Sequence, residues 1–414
     1  MPNINNKQIK FFIAAFIANI AHSMLVYSIV VYSWQLTKQS TSSGIAFFTL
    51  YAPVLFLTMH AGKLADFYSR FLLVTISQAI SGLFCIGLTL LFTTVNPSFW
   101  ILLLLVLAYG TAITYSGPAR FAAAADISSR GKQEGATIKL HILNFIAMGV
   151  GPITAGSLIK YASANWLFGL IACLFGVSSI FTAQLCFSEK RIQPKNTSGN
   201  KVSFRQIFQS MPQLMPILSI VALVTVCMSG PIQALVPIFS KQVLALDEIL
   251  SGAMMTPFAI GLVIGGAASH KLLIQKARGQ IIITSILIGL ISILLLGLSQ
   301  NPVIAALCLT ILGISGGCFS GLASASLQYL SDDSFRGQVM GFYSLLMIGA
   351  TAIGGFFASF ISQKIGIGNS FICLAVLGCF WLLITSVASK FYLFNVGITS
   401  SENLKSMTPD SQSL

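Results

Sequence analysis

A short polar break between two apolar runs, from Gly62 to Arg70, holds the residues best suited to charge pairing. Asp66 lies in this break, within reach of the cations Arg70 and Arg120 and of the electropositive N-terminus of a helix predicted to begin near Gly337. Such contacts join two parts of a chain in one conformation and break in another. We predict a conformational latch of Gly62, Asp66, Arg70 and Arg120; an ordinary polar loop with incidental charges is the alternative.

Carboxylates are scarce elsewhere, and none falls in the middle of a long apolar run. The ten acidic residues are Asp66, Asp126, Glu134, Glu189, Asp247, Glu248, Asp332, Asp333, Glu402 and Asp410. The sequence has no paired-carboxylate or Ser-His-Asp arrangement in a soluble domain, no His-Cys cluster with metal-ligand spacing and no G-x-x-x-x-G-K-[ST] loop. We therefore predict no catalytic residue, no metal site and no cofactor, in a chain that is not an enzyme.

The composition of the chain indicates whether it folds in water or in a membrane. Of its 414 residues, 55% are hydrophobic and 8% are charged, whereas a soluble domain carries about 25% charged residues. A spanning helix needs roughly 20 apolar residues, and long continuous runs favour helices over a barrel. Twelve spans are predicted, at 9–34, 43–61, 71–94, 99–125, 136–159, 166–187, 214–239, 249–269, 279–299, 302–328, 338–362 and 370–392. The prediction is an all-α polytopic membrane protein embedded in the lipid bilayer.

The distribution of positive charge predicts the orientation of these spans. With the N-terminus inside, 19 of the 23 lysines and arginines fall in inner segments and four fall in outer segments. Cytoplasmic segments are enriched in these residues, so both termini are predicted to be cytoplasmic. Membrane topology therefore accounts for the net charge of +13, and nucleic acid is not a predicted partner.

A polar segment in the middle of the chain separates six predicted spans from the other six. We predict an N-terminal six-helix bundle at 1–187, a cytoplasmic linker at 188–213, and a C-terminal six-helix bundle at 214–393. Residues 394–414, rich in Ser, Thr and Asn, are predicted to form a disordered cytoplasmic tail.

The polar break resembles the loop motif G-x-L-A-D-R-x-G-R-R of the major facilitator superfamily. The matching residues are Gly62, Leu64, Ala65, Asp66 and Arg70. The residues that differ are Phe67, Ser69 and Phe71. The resemblance implies a major facilitator fold of two six-helix bundles, and the missing cations imply a weaker latch than the family pattern would give.

The fifth predicted span carries a second resemblance, to the G-x-x-x-G-P-x-x-G-G pattern of exporters in this superfamily. Gly151, Pro152 and Gly156 match, and alanines 147 and 155 replace two glycines. General packing of helices through small residues is the alternative. Three more segments, 36–44, 117–120 and 327–341, resemble the drug- and siderophore-exporting branch that includes the enterobactin exporter.

The resemblance also directs attention to a histidine in the first span. Relatives in this branch often carry an acidic residue after a glycine there, and Ala21-His22 stands at the corresponding place. An imidazole titrates near neutral pH, so we predict that His22 couples transport to protons, with Asn19 on the same helix face. A neutral histidine that bonds a hydroxyl such as that of Ser23 is the alternative.

Other polar residues within the spans are candidates to line a cavity. They are Tyr27, Tyr51, Tyr115, Asn144, Gln233 and Tyr343. Helix–helix hydrogen bonds are the alternative for each. Arg120, Lys139 and His141 lie near the predicted inner face, where they could attract an anionic substrate or serve as anchors that reach the membrane surface.

These resemblances imply a secondary exporter that works by alternating access. The expected substrate is an amphipathic small molecule, either a siderophore or a drug, exchanged for protons down their gradient. The expected setting is a bacterial inner membrane, with the chain acting as a monomer. A lysophospholipid flippase is the alternative within transporters, and a non-transporting receptor or scaffold with the same fold is the alternative from another class.

Overall fold

A computed structural model describes residues 6–94, 96–127, 133–186, 214–272, 278–331 and 336–389. The regular structure of these residues is helical throughout. The predicted linker at 188–213 and the predicted tail at 394–414 lie outside the described residues.

Twelve described helices are long and apolar enough to cross a membrane, which confirms the number and placement of the predicted spans. They are α1 (Asn6–Thr37), α2 (Ser40–Phe67), α3 (Arg70–Leu91), α4 (Phe99–Ile127), α5 (Gln133–Tyr161), α6 (Ala164–Cys186), α7 (Leu214–Gln242), α8 (Glu248–Ser269), α9 (Arg278–Leu298), α10 (Pro302–Leu330), α11 (Gln338–Ile365) and α12 (Ile367–Ser389). Helices satisfy their own backbone hydrogen bonds, which the bilayer core cannot do.

The polar break after α2 is shorter than the sequence indicates. The helix continues through Phe67, so Gly62 and Asp66 lie in its last turns and only Tyr68 and Ser69 separate α2 from α3. The hydroxyl of Ser69 caps α3 by accepting a hydrogen bond from the backbone N–H of Leu72. Hydropathy alone places the end of α2 too early, because a helix can continue into the water beyond the bilayer, where its residues are polar.

The helices pack as two halves, α1–α6 and α7–α12, that meet mainly through α2 with α11, α5 with α8, and α1 with α7. We call the end of the bundle where α1 begins and α12 finishes the termini end, and the opposite end the distal end. The hydrogen bonds and the ion pair described between the halves all lie in the distal half of the bundle. At the termini end, a Cβ placed on Gly62 or Gly341 would meet no atom within 4 Å. Among the described residues, the polar contacts that join the two halves are therefore concentrated at the distal end.

Two helices of the second half contain a π-helical turn. One turn spans Thr225–Ser229 in α7 and the other spans Leu346–Ala350 in α11. The two turns contact each other. Such turns bend a helix locally and recur at functional positions, and the turn in α11 also contacts α2 of the first half.

Candidate functional site

Half-buried His22 of α1 is held between two tyrosines from neighbouring helices. Its Nδ1 lies 2.7 Å from the hydroxyl of Tyr109 on α4, and its Nε2 lies 3.2 Å from the hydroxyl of Tyr51 on α2. A neutral imidazole donates through one nitrogen and accepts through the other, whereas an imidazolium donates through both. Rotation of the two hydroxyls can therefore accommodate either protonation state. The partners of His22 are these tyrosines, and not the neighbouring hydroxyl of Ser23.

Arg120 lies one turn of α1 away from His22, through its contact with Asn19. Its Nη1 donates to Oδ1 of Asn19, and its Nη2 donates to the hydroxyl of Ser116 at 3.1 Å. Its Nε is buried and has no hydrogen-bond partner in the part of the chain that the structure describes. We call the whole group the polar cluster, and its members are Asn19, His22, Tyr51, Tyr109, Ser116 and Arg120. The cluster links α1, α2 and α4 inside the first half.

The structure places the predicted latch residues in different surroundings. Arg70 donates to both carboxylate oxygens of Asp126 on α4 at 2.7 Å, and Arg120 belongs to the polar cluster. In this conformation α4 continues for two turns beyond Arg120 and presents it to α1, and its part in the latch stays a prediction. Gly62 faces open space, and the side chain of Asp66 lies outside the described part of the structure.

The predicted exporter motif lies where α5 contacts both α1 and α8. A Cβ on Gly151 would lie 2.7 Å from Cβ of Ser23 on α1, and one on Gly156 would lie 2.1 Å from the carbonyl oxygen of Glu248 on α8. The carbonyl of Pro152 packs equally closely against Gly252. Any side chain at these glycines would separate the backbones, so the motif permits close contact between the two halves.

Three polar contacts complete the closure of the distal end. The Tyr27 hydroxyl donates to Oγ of Ser251 at 3.1 Å. The backbone N–H of Ser40 donates to Oε1 of Gln363 at 2.8 Å. Lys160 Nζ lies 2.7 Å from Oδ2 of Asp247. We call these three pairs the distal contacts. Tyr27, predicted to line a cavity, is buried and joins the two halves here.

The other predicted lining residues occupy separate positions. Tyr51 belongs to the polar cluster, and Tyr115 bonds Nδ1 of His60 at 3.1 Å. The hydroxyl of Tyr343 donates to the carbonyl of Ser320 at 3.4 Å, within the second half. Asn144 is exposed and Gln233 is half-buried. Their role in lining a cavity stays a prediction.

Two members of the polar cluster, Tyr109 and Ser116, were not among the predicted site residues. With Arg120 they stand at positions i, i+7 and i+11 of α4, which place them on one helix face. That periodicity is the sequence signal that identifies them.

Asp247, between α7 and α8, is a titratable member of the distal contacts. The Lys160 ammonium and the backbone N–H of Leu250 hold the pKa of this carboxyl below its ordinary value. A lowered pKa means that the contact stabilises the closed end above the ordinary pKa of an aspartate and is lost as the pH falls through the lowered value. Lys241 and Glu248, whose side chains lie 3.3 Å apart, form a second described ion pair at this end.

Replacing Asp247 with asparagine is expected to raise the distal-open population roughly twofold at neutral pH, the effect of one exposed ion pair. It is also expected to remove the acid-dependent opening of the wild type. The measurement is the distance between spin labels on Gln39 and Gln242, which are exposed at the distal end on opposite halves, in a background without the native cysteines. An acid response of equal size in both proteins contradicts the assignment.

Twelve helices long and apolar enough to span a membrane, in two packed halves, define a polytopic membrane protein. The sequence model of the Major Facilitator Superfamily matches residues 11–347. The chain belongs to this superfamily.

Characterised relatives match most of the chain at low identity. The staphyloferrin A transporter of Staphylococcus aureus is 25% identical over 365 residues, which cover 85% of this chain and 87% of that protein. The multidrug efflux pump Tap of Mycobacterium tuberculosis is 24% identical over 368 residues, which cover 84% and 86% of the two chains.

Solved structures show the same fold at lower identity. A bacterial homolog of the human lysosomal transporter Spinster, in an inward-facing and unoccupied conformation, has a TM-score of 0.74 at 12% identity and covers 95% of this chain and 98% of that one. The nucleoside transporter NupG has a TM-score of 0.74 at 14% identity, with 93% and 100% of the two chains covered.

Proposed function

We propose that this protein exports an amphipathic small molecule in exchange for protons, and that His22 carries the proton. The observation that carries the proposal is the contact of His22 with Tyr51 and Tyr109. An ionisable group within a spanning segment is functional by default, and the sequence offers no carboxylate in the middle of any span.

The conformation supports alternating access. Positive charge is concentrated in the segments at the termini end, which favours the cytoplasm for that end, and we propose that substrate enters there from inside the cell. Release to the other side requires the distal contacts to break. The termini end then closes, and we propose that Asp66, beside Gly62 and Arg70, forms the latch in that state.

The proposed setting is a bacterial inner membrane, with the monomer as the working unit. One relative is named for staphyloferrin A and another as a multidrug efflux pump. These names favour a siderophore or a drug as the substrate.

The test compares a strain that lacks the gene with its parent. We expect less siderophore in the medium and more retained in the cells after iron starvation, or, for a drug substrate, greater retention of a dye such as rhodamine 6G or carboxyfluorescein. Re-expression of the gene should restore export, and an uncoupler should abolish it. Equal secretion and equal retention of all these compounds in both strains contradict the proposal.

A further inference from the structure

Arg120 carries a positive charge inside the first half without a carboxylate beside it. The structure describes three acidic side chains, and each is paired with another cation: Asp126 with Arg70, Asp247 with Lys160, and Glu248 with Lys241. The described partners of Arg120 are the neutral side chains of Asn19 and Ser116. Its charge is therefore not compensated by any described residue.

An uncompensated guanidinium inside a membrane protein is costly. Burying a charge is unfavourable unless it is paired and hydrogen-bonded, and a neutral partner satisfies donors without cancelling the charge. The Nε–H of Arg120 remains a donor without a partner among the described residues. Guanidinium donors form a planar fork that matches the two oxygens of a carboxylate or phosphate.

Arg120 lies closer to the termini end of the bundle than His22 does. In α1, Asn19 precedes His22, and in α4, Arg120 follows Tyr109, so both members of this pair lie on the termini-end side of the histidine. In the proposed export cycle, this is the end at which the substrate enters. A substrate that enters there reaches Arg120 before it reaches His22.

Asn19 and Ser116 position the guanidinium for this task. Each holds one of the two terminal nitrogens, and they come from different helices. Because two of the three nitrogens are anchored, the plane of the group is fixed before any ligand arrives, and less rotamer entropy is lost on binding.

We propose that the substrate is an amphipathic anion whose carboxylate or phosphate binds Arg120. This inference rests on the proposed function and narrows it: lipophilic cations are disfavoured, because the middle of the spans offers no carboxylate to receive them. Among siderophores and drugs, the inference therefore favours molecules that carry a negative charge.

The test measures binding of two dyes of similar shape and opposite charge to the purified full-length protein in nanodiscs. Fluorescence polarisation gives the affinities for carboxyfluorescein, an anion, and rhodamine 6G, a cation. We expect the wild type to prefer the anion. Arg120→Gln should weaken carboxyfluorescein binding by roughly tenfold or more, the effect of losing a charged hydrogen bond, while rhodamine 6G binding stays the same or improves. Displacement by octanoate or by octyl phosphate distinguishes a carboxylate site from a phosphate site.

Two further variants keep the result interpretable. Arg120→Lys retains the charge without the fork and should bind carboxyfluorescein with intermediate affinity. Lys364→Gln removes an exposed cation at the distal end of α11, which lies over the ring of Phe360, and should bind both dyes as the wild type does. Thermal unfolding in nanodiscs checks that Arg120→Gln is folded.

The outcomes separate this inference from the proposed function. Carboxyfluorescein binding that depends on Arg120, in a protein that exports nothing, supports the anion site and contradicts the export proposal. Export in cells, with equal carboxyfluorescein affinity in the wild type and Arg120→Gln, supports the export proposal and overturns the anion site. A wild type that binds rhodamine 6G more tightly than carboxyfluorescein also overturns it.

Discussion

Replacement of His22 with alanine is expected to abolish proton-driven export while leaving the protein folded. The imidazole is the titratable group that links α1 to α2 and α4 through the hydroxyls of Tyr51 and Tyr109. Without it, a pH gradient has no proton carrier at this position to drive the cycle. We expect proton-driven flux to fall by at least roughly tenfold, the lower end of what a positioned proton-transfer group contributes, by analogy with catalysis.

Loss of the ring also leaves two hydroxyls without their partner. An unsatisfied buried donor or acceptor costs about 1–3 kcal/mol, so His22→Ala is expected to be somewhat less stable as well as uncoupled. His22→Asn separates the two effects, because its amide can still bond one tyrosine and does not titrate. Both variants should lose coupling, whereas the loss of stability should be smaller for asparagine.

The measurement uses proteoliposomes with an imposed pH gradient, and compares proton-driven transport with substrate exchange in the absence of a gradient. Exchange should survive in both His22 variants. His60→Gln is the matched control, because His60 bonds the hydroxyl of Tyr115 at 3.1 Å in a similar pair but is exposed. Proton-driven transport at the wild-type rate in His22→Ala would contradict the assignment of proton coupling to His22.

The membrane architecture could be predicted because one strong physical rule governs it. Lipid requires continuous apolar helices, so twelve apolar runs translate directly into twelve spans. The errors lie at the ends, where water replaces lipid and the rule no longer applies. Two such errors are the ends of α2 and α4, which extend to Phe67 and Ile127.

The site was only partly predictable, because contacts between helices leave little trace in a single sequence. The positions of Asn19 and His22 on one face of α1 could be seen, and so could the face of α4 that carries Tyr109, Ser116 and Arg120. The way these two faces meet depends on how the helices cross. Arg120 therefore looked like a surface cation near the end of its span, although it contacts Asn19 inside the bundle.

The distal contacts show the same limit more sharply. Lys160 and Asp247 belong to different halves and are separated by 87 positions in the sequence. No local pattern connects them. The small residues of α5, by contrast, could be singled out from the sequence, and the structure shows what each of them contacts.

Replacement of Gly156 with alanine is expected to open the distal end. The added Cβ would lie 2.1 Å from the carbonyl oxygen of Glu248, a backbone atom that cannot rotate away as a side chain could. Overpacking of this kind costs about 1–3 kcal/mol, and here the cost falls only on the conformation in which α5 and α8 touch. The distal-closed state should therefore lose population by roughly tenfold, since about 1.4 kcal/mol corresponds to that factor.

Spin labels on Gln39 and Gln242 report the change directly, as a longer distance in Gly156→Ala than in the wild type. Gly252→Ala should give the same result from the other helix, because its Cβ would lie 2.1 Å from the carbonyl oxygen of Pro152. Gly176→Ala in α6 is the control, since a Cβ there meets no atom within 4 Å. Both interface variants should also slow export, because a cycle that rarely closes at the distal end rarely opens to its substrate at the other. An unchanged distance in both would show that the added Cβ atoms are accommodated without separating α5 from α8, and that the glycines of α5 do not set the conformational equilibrium.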